Sequence, residues 1–150
     1  MSFYTVTGSK TVTATTSPLN ATGGTTARPR ICTYKLATGG VPTSDQGVEV
    51  QMRRSTTAGT GTSVTPTPTD TNDPASITTA LSNLTAEPTY SAGSIDDLFF
   101  NPRATVQWAA YDPRAEFVAP ATASNGIGFQ CIAVGGAAGA LLVTIGFYDR

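Results

Sequence analysis

Carboxylates are the main candidates for chemistry in this sequence, because its 150 residues include no histidine and only two lysines, Lys10 and Lys35. The chain therefore lacks the commonest general base and the commonest zinc ligand. Asp96 and Asp97 are adjacent, so on a strand their side chains point to opposite faces and cannot act on one substrate. The possibility that two carboxylates from distant strands come together, as in glycosidases, stays open.

Asp70, Asn72 and Asp73 offer short-spaced oxygen atoms of the kind that bind Ca²⁺. Their spacing does not match the EF-hand loop, so we expect a solvated turn and no metal. The dipeptide Asp112-Pro113 is typical of the start of a turn, not of a catalytic acid. The sequence thus predicts no catalytic residue, no metal and no cofactor, and we expect that the protein is not an enzyme.

Adjacent arginines, Arg53 and Arg54, are candidates for contact with a partner. Alternation sends one side chain outward, while the other points inward or lies at the strand end. They are either surface arginines, one of them snorkelling, or a partner site, because arginine forms bidentate pairs with carboxylates and is enriched at interfaces. Near the N-terminus, Phe3 and Tyr4 either cap the core or anchor an interface. The predicted interface residues are Phe3, Tyr4, Arg53, Arg54, Phe99 and Phe100.

Composition favours strands as the elements that position these residues. Charged residues make up 13% of the chain, against about 25% in an average soluble domain. Threonine favours strands, whereas glycine and proline favour turns. A net charge of −1 gives no basic field for nucleic acid, and no apolar run reaches the ~18 residues of a membrane span. The N-terminus lacks the pattern of a secretory signal, so we expect folding in the compartment of synthesis.

Alternating apolar residues predict about eight strands separated by turns. In GVEVQMRRS the inward residues are Val48, Val50 and Met52, and ALLVTIGFY has the nearly continuous apolar run of a strand buried on both faces. SITTALSNL allows a turn or two of helix. The pattern predicts one all-β domain over residues 1–150, a β-sandwich or jelly roll. We expect residues 1–27 to be an N-terminal arm or edge strands, and 56–76 to be a long loop ordered largely by a partner.

Two cysteines, Cys32 and Cys131, lie in apolar, strand-like runs. Buried thiols are the expectation, because cysteine is often buried in its reduced form. A disulfide would require neighbouring strands and an oxidising compartment, and this pairing stays open. Trp108 is expected in the core between the sheets.

Two runs of sequence share a recognisable pattern. They are DQGVEVQMRRSTTAGTGTSVTPTPTDTNDPAS and NPRATVQWAAYDPRAEFVAP, the latter followed by NGIGFQCIAV, and both resemble segments of small β-sandwich virion proteins of tailed bacteriophages. The shared pattern is R-x-T at 54–56, a Gly/Thr loop at 57–64, TP-x-P at 65–68, D-x-x-D-P at 70–74 and R-A-T-x-x-W at 103–108. The resemblance covers roughly residues 28–148.

Such proteins are often capsid decoration, or cement, proteins. The resemblance implies a protein made in the host cytoplasm that binds between major capsid protein subunits on the outer capsid surface. It would stabilise the head shell there as a homo-oligomer, a dimer or trimer. The alternative is a phage tail-tip or fibre domain that binds a host glycan. Its candidate sugar-binding residues are Tyr90, Trp108, Tyr111 and Asp112.

Overall fold

Strands form nearly all of the regular structure in this computed structural model, which describes residues 2–11, 13–40, 45–134 and 139–149. The one helical element among these residues is a 3₁₀ turn at Pro113–Ala115. The strands are β1 Phe3–Thr11, β2 Thr16–Thr22, β3 Pro29–Thr38, β4 Val48–Ser55, β5 Thr60–Val64, β6 Thr67–Pro68, β7 Thr79–Ala86, β8 Asp96–Phe100, β9 Val106–Ala109, β10 Phe117–Val118, β11 Gly126–Val134 and β12 Ala140–Asp149. No helix in the described ranges has the length and apolarity needed to span a bilayer.

Antiparallel pairing assembles the described strands into two sheets packed face to face. Sheet I has the order β10-β3-β12-β1-β6, with β9 on the same edge of β3 as β10. Sheet II has the order β5-β7-β2-β11-β4-β8. Eight of these strands follow the jelly-roll order, β1-β12-β3-β9 facing β2-β11-β4-β8. The predicted all-β sandwich is therefore confirmed, and the additional strands lengthen its edges.

The core lies between the two sheets and is built from the inward residues of their central strands. Val48, Val50 and Met52 are all fully buried, as their alternation predicts. The largest fully buried side chains are Tyr34, Phe129, Phe147, Leu19, Ile31, Leu36, Met52, Leu84, Ile127, Leu141, Ile145 and Val48. β11 and β12 are central strands of their sheets. In β12, Leu141 and Val143 lie in the core whereas Leu142 on the outer face is only partly buried, so the expected burial on both faces is not observed.

The N-terminal residues are part of the sandwich, so they do not form an arm. β1 is an edge strand of sheet I beyond Thr5, where its pairing with β6 ends, whereas β2 is an inner strand of sheet II. β1 lies between β12 and β6, and β2 lies between β7 and β11. Gly8 sits within β1, where a Cβ atom would collide with the Pro18 carbonyl oxygen and with Leu19. This glycine therefore permits close approach of two strands.

Segment 56–76 contains two short strands that the turn-rich sequence concealed. β5 pairs with β7, and β6 pairs with β1 at Tyr4 and Thr5. The Tyr4 hydroxyl also donates to the Pro74 carbonyl oxygen at 3.0 Å. The chain's own strands thus order this segment, contrary to the expectation that a partner would do so. The stretch that allowed a helical turn is strand β7, since its backbone pairs on both sides.

Candidate binding cleft on sheet I

The edge strand beside β3 is interrupted. β9 pairs with residues 33–36, and β10 pairs with Arg30 and Ile31 on the same edge. Residues 110–116, which we call the excursion, leave the sheet between these two pieces. The excursion begins where the Ala110 amide donates to the Cys32 carbonyl oxygen at 2.8 Å, and it includes the 3₁₀ turn.

Two ion pairs fix the excursion. Arg30 Nε donates to Glu116 Oε2 at 2.6 Å, and its Nη2 donates to the Pro113 carbonyl oxygen at 3.0 Å. The Glu116 side chain is only 11% exposed, so this pair is shielded from solvent. Asp112 accepts from the backbone amide and the side chain of Arg114, and the latter bond lowers the pKa of the Asp112 carboxyl. That second pair is open to water and contributes little to stability.

A cleft of about 360 Å³ lies between the excursion and the outer face of sheet I. The Phe3 ring lies over Gly146 and meets the Tyr148 ring edge-on, with centroids 5.1 Å apart. Tyr111 is 95% exposed at the rim. The cleft is lined by Phe3, Cys32, Thr33, Ala109, Ala110, Tyr111, Asp112, Pro113, Glu116 and Tyr148.

A second, smaller depression of about 200 Å³ adjoins the cleft. It is lined by Tyr111, Asp112, Arg114 and Ala115, so the Tyr111 ring and the Asp112 side chain border both spaces. The excursion therefore presents the Tyr111 ring and the Asp112 carboxylate to both the cleft and the adjoining depression.

Beyond the cleft, the outer face of sheet I carries side chains from neighbouring strands in register. One row across four strands holds Thr7, Thr144, Lys35 and Gln107. The Thr7 and Thr144 hydroxyl oxygens are 2.9 Å apart, within hydrogen-bond distance. Thr7, Lys35 and Gln107 are exposed, and Lys35 is the one charged residue in this row. This row is therefore polar and carries a single charge.

The middle of sheet II, around β2 and the end of β4, is partly covered on its outer face by other segments of the chain. The Tyr90 hydroxyl is 2.7 Å from the Ser17 hydroxyl, and the Asn20 amide donates to the Ala58 carbonyl oxygen at 3.1 Å. Ser55 donates to the Asn20 carbonyl oxygen at 2.9 Å. Burial raises the pKa of Tyr90. The row of sheet I that contains Thr7, Lys35 and Gln107 is therefore more accessible than this part of sheet II.

The four predicted aromatic interface residues have different environments. Tyr4 and Phe100 are buried in the core, Tyr4 stacking on Phe147 at 5.7 Å, so neither presents a surface to a partner. Phe3 is partly buried in the cleft. Phe99 is 73% exposed on β8, an edge strand of sheet II. Phe99 alone of the four is a largely exposed aromatic side chain.

Both predicted arginines are engaged within the chain. Arg53 donates to Gln130 Oε1 at 2.8 Å and to the Ser91 carbonyl oxygen at 2.9 Å, and it lies over the Tyr90 ring. Arg54 lies at the end of β4 and donates to the Val118 carbonyl oxygen at 2.7 Å, linking sheet II to β10 of sheet I. Both side chains thus have intramolecular contacts, while Arg54 is also exposed, and their contact with a partner stays a prediction.

The structure brings together only two of the four predicted sugar-binding residues, Tyr111 and Asp112. Trp108 stacks on Tyr34 at 5.3 Å and packs against the core, as its alternation predicts, whereas Tyr90 lies on sheet II. Phe3, a predicted interface residue, lies in the cleft, whereas Tyr148 and Glu116 are cleft residues that the sequence did not indicate. They come from distant segments, and no local pattern marks their proximity.

The remaining candidates have structural contacts. Asp96 accepts from the Tyr34 hydroxyl at 2.6 Å between the sheets, while Asp97 accepts from the Gln51 amide at 2.9 Å on the outside, so the two carboxylates diverge as predicted. Asp70 Oδ1 accepts from the Asn72 amide at 2.9 Å, which is the predicted turn. Within the described ranges no group of three potential metal-ligating side chains occurs.

Cys32 and Cys131 are on different sheets and are not joined to each other. Burial raises the pKa of both thiols, that of Cys131 to about 11. Cys32 is only partly buried and lines the cleft, where its Sγ donates to the Gly146 carbonyl oxygen at 3.4 Å. Neither thiol is therefore arranged as a readily ionised nucleophile.

The cleft is suited to binding a small polar molecule, and the outer face of sheet I is suited to docking. Aromatic surface, paired charges and short hydroxyl side chains supply contacts for both. Comparisons of the chain with protein-family models, with curated proteins and with solved structures find no match.

Proposed function

We propose that this protein is a virion structural protein, a capsid decoration or cement protein that binds between major capsid protein subunits on the outer capsid surface. In this role it stabilises the head shell. The observation that carries the proposal is the exposed polar row on the outer face of sheet I, in which Lys35 is the one charged residue. The resemblance of its sequence to phage virion proteins supports the same role.

Short side chains make this face suitable for docking. Threonine and alanine side chains lose little rotamer freedom on burial, so ordering them opposes binding less than ordering long charged side chains. In the row that contains Thr7 and Thr144, Lys35 supplies one charge that a carboxylate on a shell protein can pair with. Repetition by shell symmetry, or as a dimer or trimer, adds avidity to weak individual contacts.

Binding to shells that lack this protein tests the proposal. We expect Thr7→Arg to weaken cosedimentation with such shells by about tenfold or more, because a long charged side chain obstructs close contact. The matched control is Thr62→Arg, which places the same side chain at an exposed position on β5 of sheet II. Unchanged binding by Thr7→Arg, or equal losses in both variants, would reject docking through this face.

The second candidate is a tail-tip or fibre domain that binds a host glycan, which the exposed Tyr111 beside the cleft favours. Quantitative mass spectrometry of the purified particle separates the two candidates. A copy number similar to that of the main shell protein supports decoration of the head. A few copies per particle support the tail.

A further inference from the structure

The interrupted edge strand builds a cleft with the dimensions of a small-ligand site. Its volume of about 360 Å³ lies at the lower end of the ~300–1,000 Å³ found for ligand pockets, which suits one sugar ring. The smaller depression across Tyr111 provides space for part of a second ring.

The aromatic side chain at the rim is unusual in its exposure. Tyr111 is 95% exposed, so packing in the described fold does not explain a tyrosine at this position. An exposed aromatic ring offers a flat apolar surface that matches the C–H face of a pyranose. Phe3 and Tyr148 add aromatic surface within the same cleft.

The charges around the cleft indicate a neutral ligand. Glu116 is paired with Arg30 at 2.6 Å, and Asp112 is paired with Arg114 at 3.0 Å. Each pair cancels its own charge, so the cleft has no strong attraction for an anion or a cation. Carboxylate oxygens accept more than one hydrogen bond each, and the guanidinium of Arg114, 92% exposed, has several donors. Sugar hydroxyl groups both donate and accept hydrogen bonds, so they match these carboxylate acceptors and guanidinium donors.

We propose that this cleft binds one ring of a neutral hexopyranoside, with the C–H face of the ring on Tyr111 and its hydroxyl groups on Asp112 and Glu116. The adjoining depression holds the next ring of an oligosaccharide. This inference rests on the glycan-binding candidate and is independent of docking through the outer face of sheet I.

Saturation-transfer NMR with the full-length chain tests the site. The probes are the methyl glycosides of D-glucose, D-galactose, D-mannose and N-acetyl-D-glucosamine, each titrated separately, with choline as a cationic probe. The variants are Tyr111→Ala and Tyr111→Phe. Phe99→Ala is the matched control, because it removes another exposed aromatic ring, on sheet II. Since Tyr111 is exposed, we expect all three variants to keep the melting temperature of the original chain.

We expect transfer to at least one glycoside, weakened about tenfold by Tyr111→Ala and retained in Tyr111→Phe and Phe99→Ala, because the ring face makes the contact. Transfer that Tyr111→Ala leaves unchanged would reject this site but leave the glycan-binding candidate standing. Absence of transfer to all four glycosides would reject both and leave shell docking untouched. Transfer to choline alone would reject the neutral ligand class.

Discussion

Cys131 illustrates how burial of a single residue couples stability to pH. Its side chain is 1% exposed within the core on β11. Burial, with a smaller contribution from the charge of Glu49, raises the pKa of the thiol to about 11. The folded protein therefore favours the neutral thiol over the thiolate more strongly than the unfolded chain does.

We expect the free energy of unfolding to fall as pH rises from about 9 to 11. The pKa of Cys131 is 9.0 when unperturbed and higher in the folded state, so its contribution is complete below pH 9 and is lost as pH approaches 11. A shift of this size corresponds to about 2–3 kcal/mol. Urea unfolding across this range measures the effect.

Cys131→Ala provides the comparison for this pH dependence. In this variant the fall in unfolding free energy between pH 9 and 11 should be smaller than in the original chain. Tyr34 and Tyr90, whose pKa values are raised by burial, still lower stability in both proteins at the upper end of the range. Equal pH dependence in the two proteins would show that Cys131 ionisation does not contribute.

The edge strand formed by β9 and β10 shows how one element becomes a site. Its two pieces keep the same neighbour, β3, while the excursion carries Tyr111 out of the sheet. The solvent-shielded ion pair between Arg30 and Glu116 holds the end of the excursion next to β3, where the chain re-enters the sheet as β10. The geometry of the cleft therefore depends on this ion pair.

We expect Glu116→Gln to destabilise the protein by about 1–2 kcal/mol, between the values for exposed and buried ion pairs, because Arg30 loses its charged partner. Hydrogen exchange should speed up at the amide of Ala110, which bonds to β3 where the interruption begins, and at the amide of Ala119, which bonds to β3 just after β10. Asp112→Asn is the matched control, since it alters the exposed pair and should leave stability unchanged. Equal effects in both variants would contradict this account.

At the scale of the whole molecule, the first strand is essential to the sandwich. β1 pairs with β12 over nine consecutive residues and contributes Tyr4 and Val6 to the core. Removing it would expose an edge of β12 and leave a gap between the sheets.

We therefore expect deletion of residues 2–11 to abolish cooperative unfolding, measured by circular dichroism during heating. Phe3→Ala, which changes a partly buried residue in the cleft, should retain a cooperative transition. A deletion variant that melts cooperatively near the temperature of the full chain would show that the sandwich does not require β1.

The sequence by itself determined the all-β class and the inward residues of the strands with strict alternation. Val48, Val50 and Met52 alternate with polar residues, and this two-residue period is a local property of an extended chain. It also determined the turn at Asp70 and the divergence of Asp96 and Asp97, because backbone geometry over a few residues decides both.

Tertiary structure alone decided the pairing of strands and the assembly of the cleft. β5 and β6 have few apolar residues, and they are strands because β7 and β1 satisfy their backbone groups. The cleft combines Phe3, Glu116 and Tyr148, which lie far apart in the sequence. Antiparallel pairing of β1 with β12, and of β10 with β3, places these residues together. Long-range strand order is not encoded in any local pattern, so these contacts emerge only from the folded sandwich.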